Sequence, residues 1–155
     1  MRNVGRRLIA AGLAVCAVSI PAMSHDHATG VVKERMDMME AMAKRMKAIR
    51  KRIDEKRDLA SIKGEAEAIA LQAPHLAHLF PPGSTQKPTD AKNTIWKNWS
   101  DFERKAAALE AESKKLMNAS PDEPAVLAAQ FRAVSETCGG CHEKYRVRRR
   151  KGDLR

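Results

Sequence analysis

Residues 124–148 read PAVLAAQFRAVSETCGGCHEKYRVR. Within them Leu127, Phe131, Val134, Cys138, Cys141, Tyr145 and Arg148 recur at spacings of 4, 3, 4, 3, 4 and 3. That period puts all seven on one stripe of an amphipathic α-helix. The stripe carries two cysteines, and a histidine follows the second.

Working back along the chain, Ile95, Trp99, Phe102, Ala106, Leu109, Ser113 and Leu116 repeat the pattern. Thr89 or Asp90 is placed to cap that helix. Asn118 to Pro124 breaks it, and Ser120 before Pro121 is a second cap position. Earlier, Ile62, Ala66, Ile69, Ala73, Leu76 and Phe80 form a seam that Pro74 kinks or interrupts, because proline donates no backbone hydrogen bond. Pro81, Pro82 and Gly83 end it, and the proline-rich stretch to Asp90 is the longest clear loop. The first seam runs Val32, Arg35, Met39, Met42, Met46, Ile49, Ile53. Arg35 is its one charged member. No strand-like alternation competes with any of the four.

Four long helices with mostly short connections predict an all-α, antiparallel up-down-up-down four-helix bundle. The alternation of 3 and 4 fits crossing angles near 20°. Composition agrees: aromatics are 4%, and Ala, Leu and Met dominate the apolar residues, which disfavours a β-sandwich or barrel. The seams are thin, with Ala66, Ala73, Ala106 and Ser113 where leucine would fill more volume. Small residues there leave room for a bound group or let helices approach closely.

The N-terminus reads differently from the rest. Arg2, Arg6 and Arg7 precede an apolar run from Leu8 to Ala22, closed by small residues at Ala22-Met23-Ser24. This is the pattern of a cleaved secretory signal, so residues 1–24 are expected to be removed and residues 25–155 to form one exported, periplasmic domain. Three of the 29 Lys and Arg residues and none of the 19 acids fall in 1–24, so the net charge drops from +10 to +7. Cys138 and Cys141 are then the only cysteines, too few for a disulfide scaffold.

Cys138-Gly139-Gly140-Cys141-His142 is C-x-x-C-H, the attachment signature of haem c. On a helix, positions i, i+3 and i+4 share a face. Cys138 and Cys141 can form thioethers to the two vinyl groups of one porphyrin, and His142 can meet the iron from the proximal side. The glycines are expected to let a flat macrocycle approach the backbone. A thioredoxin-like motif would need a preceding strand, and a zinc site would need two further ligands, for which His75 and His78 are the candidates.

With this motif near the C-terminus of an exported four-helix bundle, the chain resembles cytochrome c′ and its relatives, the class II c-type cytochromes. Cys138 to Arg146 is similar to the family's C-x-x-C-H-x-x-Y-R ending. Ile95-Trp96 with Phe102 downstream looks like its third helix, and Val32 with Arg35 looks like its first. The resemblance implies a single covalently attached haem c. It also implies that the residue four after the first-helix arginine faces the distal side of the iron. Here that residue is Met39. Methionine there marks the six-coordinate cytochrome c-556 type, whereas an apolar residue marks the five-coordinate type that binds nitric oxide or carbon monoxide.

Helical phase also puts Met39 and Met42 on the seam and Met36 and Met38 off it. Methionine is common core filler, so Met42 stands as the reserve ligand. Arg35, one turn from Met39, either neutralises a haem propionate or packs its stem while its head reaches water. The expected function is single-electron transfer with His142 and Met39 on the iron, and no catalysis of a substrate. The alternatives are a five-coordinate gas-binding haem protein and a haem-free metal-binding bundle.

The remaining signals bear on partners and metals. His75 and His78 read as solvated helix-end residues, and His25-Asp26-His27 as a tail that can bind copper or nickel if it starts the mature chain. Basic clusters at Lys44–Arg52 and Arg146–Lys151 are solvated faces or steer a redox partner with an acidic surface. Nucleic acid is not an expected partner, since no recognition motif is present. A homodimer is what the resemblance allows.

Overall fold

A computed structural model describes residues 28–148 of the chain. The expected secretory segment at 1–24, His25-Asp26-His27 and the basic residues after Arg148 lie outside the described residues. Five α-helices follow in order: α1 Gly30–Glu55, α2 Ile62–Gln72, α3 Thr94–Lys97, α4 Trp99–Met117 and α5 Pro124–Tyr145. The short α3 leads into α4. The four longer helices close a ring, with α1 against α2 and α5, and α4 against α2 and α5. This is the expected four-helix bundle. No helix among the described residues is long and apolar enough to cross a membrane.

The seams face inward. Val32, Met42 and Ile49 of α1, Ile62, Ala66 and Ile69 of α2, Phe102, Leu109 and Leu116 of α4, and Leu127 and Val134 of α5 are all buried. Ala66, Ala73 and Ser113 are completely buried, and α2 and α4 share the most extensive helix interface. The Ser113 hydroxyl finds no hydrogen-bond partner there.

Three local features differ from the sequence expectation, and a fourth decides between its alternatives. Pro74 interrupts the second helix rather than kinking it. After Gln72 the chain tightens into two 3-10 turns, Ala73–His75 and Ala77–Leu79. The third helix is broken at Asn98, whose φ and ψ of −130° and 41° leave helical space. Thr89 caps nothing. Its hydroxyl accepts from Arg35 Nη1 at 3.2 Å and from the Ala91 N–H at 3.2 Å. Finally, α5 starts at Pro124 in its first turn, after a tight turn in which the Glu123 N–H donates to the Ser120 carbonyl, so Ser120 is no helix cap.

Candidate haem site

The core is divided. The main cluster holds twelve buried residues from Met42 to Val134, and a second holds Phe80, Ile95, Phe102 and Tyr145. Cys138 packs on the first and Cys141 on the second. Met39 packs on both. The two cysteines therefore bracket the boundary between the clusters from α5, and Met39 reaches the same boundary from α1.

Both thiols are free and half-buried. Burial pushes both up from the ordinary thiol range, so they are protonated at neutral pH. His142 stands at the exposed edge of the same helix face. Desolvation of its ring, and then the Arg146 charge, push its pKa down. That favours neutral imidazole, the form that can ligate a metal. Two unpaired thiols and an imidazole at i, i+3 and i+4, opening on an apolar boundary, fit the attachment of a haem c. The chain's own atoms leave room at both glycines. A Cβ at Gly140 would stand 3.7 Å from Lys105 Nζ on α4, and one at Gly139 would meet nothing.

The end of α5 is fixed from two sides. Tyr145 Oη donates to Asp101 Oδ2 at 2.6 Å, and Lys144 Nζ donates to the same oxygen at 2.8 Å. These donors hold the Asp101 carboxyl well below the usual carboxylate range, Lys144 contributing most and Tyr145 next. On the other side, the Lys92 N–H donates to the Tyr145 carbonyl at 2.9 Å and the Val147 N–H to the Asp90 carbonyl at 2.8 Å. Lys92 Nζ reaches the carbonyls of Glu143 and Lys144 at 3.3 and 3.2 Å. A lysine there satisfies the last carbonyls of a helix and complements its dipole.

Aromatic rings line the second cluster. Phe102 meets Phe80 edge-on at 4.8 Å, Tyr145 edge-on at 5.4 Å, and stacks with Trp99 at 5.5 Å. Trp96 Nε1 donates to the Phe80 carbonyl at 2.9 Å.

Arg35 does not follow the reading in which its head reaches water, since it is 3% exposed. All five N–H groups are engaged. Nε and Nη2 donate to the Leu79 carbonyl at 2.9 and 2.7 Å. Nη1 donates to the Ser84 carbonyl at 3.0 Å as well as to Thr89, and Nη2 to Ser84 Oγ at 2.6 Å. The guanidinium also lies 3.9 Å over the Phe80 ring. Contact with a propionate requires that one of these five bonds be given up. As placed, Arg35 clamps the 79–89 segment to α1, one turn from Met39.

The zinc alternative is not supported. No three His, Cys, Asp or Glu side chains converge on a common point among the described residues, so His75 and His78 do not join the cysteines. Sequence reasoning also missed Asp101 and Lys92, which secure the end of the motif-bearing helix. A buried tyrosine hydroxyl needs a partner, and that was the available signal; it did not say which acid, 44 residues away, would supply it.

A C-x-x-C-H set on the last helix of a four-helix bundle defines a class II c-type cytochrome. The Cytochrome C′ family profile matches residues 30–146. Cytochrome c-556 of Agrobacterium tumefaciens (strain II Chrys) is 30% identical over 122 residues, covering 77% of this chain and 99% of the relative. Cytochrome c-554 of Cereibacter sphaeroides is 28% identical over 149 residues, covering 91% and 97%. Among solved structures, a nitric oxide complex of a mutant cytochrome c′ from Alcaligenes xylosoxidans superposes with a TM-score of 0.68 at 27% identity, covering 77% of this chain and 94% of that one. The chain belongs to the cytochrome c′ family, whose members carry covalently attached haem c.

Proposed function

We propose that this protein is an exported, monohaem electron carrier with His142 and Met39 as the axial ligands of the iron. Haem c supplies one-electron redox chemistry when attached. The chain's own residues do the rest. Cys138 and Cys141 tether, and His142 ligates from α5. Met39 approaches from α1 with a thioether, a ligand type that raises reduction potential. The second cluster excludes water from one side. The observation that carries this reading is the packing of Met39 on both apolar clusters, where it alone among the described residues is shared by Cys138's cluster and Cys141's. The likeness to cytochromes c-556 supports it.

Six-coordination suits electron transfer, because ligands that stay in place between oxidation states need little rearrangement. Electrostatics bear on the partner. Five of the six cations in Lys44–Arg52 are paired with acids on α1, α2 or the turn between them. That face is therefore largely self-neutralised. The mature net charge of +7 still favours a redox partner with an acidic surface. The gas-binding alternative draws on the nitric oxide complex of the Alcaligenes relative. The visible spectrum of purified holoprotein, oxidised, reduced, and reduced under carbon monoxide, tests the reading. A low-spin iron that does not take up carbon monoxide is expected. A high-spin, carbon monoxide-binding iron would overturn it in favour of gas binding.

A further inference from the structure

His75 and His78 do not converge with Cys138, Cys141 and His142 among the described residues. Their placement follows from Pro74. The chain from Ala73 to Leu79 runs as 3-10 turns, with the Leu76 N–H donating to the Ala73 carbonyl at 3.2 Å and the Leu79 N–H to Leu76 at 3.1 Å. A 3-10 helix has 3.0 residues per turn, so side chains at i and i+3 eclipse one another. In an α-helix the same pair would diverge by about 60° around the axis.

Leu76 and Phe80 are buried and anchor this run against the bundle, while both histidines are exposed on its outer side. Their ring centres lie 6.4 Å apart, with planes inclined by 42°. An ion held by two imidazole nitrogens at about 2.0–2.1 Å puts the ring centres roughly 4.5 Å apart at a right angle and 6.3 Å apart in line. The pair is thus already near the open limit. Exposed side chains rotate freely enough to close the remainder.

We propose that His75 and His78 form a bis-imidazole surface site for a divalent transition-metal ion, with water in the remaining positions. Copper(II) is the ion it holds most tightly, because affinity for nitrogen ligands peaks at copper along the first-row series. Two protein ligands make the site open and exchangeable, unlike a closed structural zinc site. The imidazoles must be neutral to bind, so binding weakens in acid.

The test titrates copper(II) sulfate into the full holoprotein carrying His25→Ala and His27→Ala, which removes the amino-terminal competitor. Calorimetry gives the affinity, and electron paramagnetic resonance reads nitrogen coupling to the copper. One equivalent with imidazole coupling is expected. His75→Ala or His78→Ala should each weaken binding about ten-fold or more, or roughly 1.4 kcal/mol. The double variant should lose the coupling, and unchanged haem absorbance in every variant would show the fold intact. Equal affinity and coupling in the double variant, or no imidazole-coupled copper in the background protein, would overturn the proposal.

Discussion

The Tyr145 phenol donates to Asp101 Oδ2 across 2.6 Å, joining the turn that follows His142 to the first turn of α4. Lys144 and Arg104 converge on the same carboxylate. Asp101 is therefore the point through which the end of the motif-bearing helix is held against its neighbour.

The carboxyl of Asp101 is depressed by these donors, so its contribution to stability is complete above the unfolded value of about 3.9 and is lost as pH falls below it. Asp101→Asn should lower the melting temperature at neutral pH. The gap from wild type should stay constant down to about pH 5 and shrink progressively below pH 4. Thermal unfolding followed by circular dichroism across that range reads both. A gap that is independent of pH in acid would mean that the ionised carboxylate contributes nothing.

Removing the Arg35 clamp strands acceptors that are buried at Ser84 and part-buried at Leu79. Arg35→Met keeps much of the stem but leaves the Leu79 and Ser84 carbonyls without these donors, and should cost about 3 kcal/mol in denaturant unfolding. Arg35→Lys should recover little, since an ammonium cannot reproduce the planar fork. The loss should be local as well as global: the backbone amides of Ser84 and Thr89 should exchange faster in either variant.

Ser113 points the other way. Its hydroxyl is buried with no partner among the described residues, a penalty that alanine removes along with a small loss of packing. Ser113→Ala should stabilise the protein by about 1 kcal/mol, measured as a shift in denaturation midpoint at constant m.

Covalent retention of haem should divide between the two cysteines. Either Cys138→Ala or Cys141→Ala alone should leave haem on the polypeptide through one thioether, with a shifted α-band. Replacing both should release it into acidified organic solvent. Peroxidase staining of a denaturing gel distinguishes either single variant from the double.

The sequence made the helices legible because each buries one continuous stripe, and a period of 3 and 4 is visible without any knowledge of partners. The interruptions were less legible. Pro74 signals a break, but whether the chain kinks or tightens into 3-10 turns depends on Leu76 and Phe80 finding the core. Asn98 carries no comparable signal. The break there goes with Trp99 joining the ring cluster around Phe102, and with Asn98 Nδ2 donating to the Thr94 carbonyl.

The placement of Cys138, Cys141 and His142 together on one helix was readable because their spacing is itself the geometry. Arg35 was not, since its partners Leu79, Ser84 and Thr89 lie 44 to 54 residues away and use carbonyls and hydroxyls that any sequence offers. A charged residue in an apolar seam announced only that it must be satisfied somewhere.

The axial ligand opposite His142 is the claim on which electron transfer turns. The decisive measurement is the carbon monoxide difference spectrum of reduced holoprotein for wild type, Met39→Ala and Met42→Ala side by side. Met42 is a buried neighbour on the same seam, so its variant carries the packing loss without the proposed ligand loss. A low-spin, unreactive iron is expected in wild type and Met42→Ala, and a high-spin iron that takes up carbon monoxide in Met39→Ala alone. Uptake by the wild type, or an unchanged low-spin spectrum in Met39→Ala, would contradict the ligand assignment.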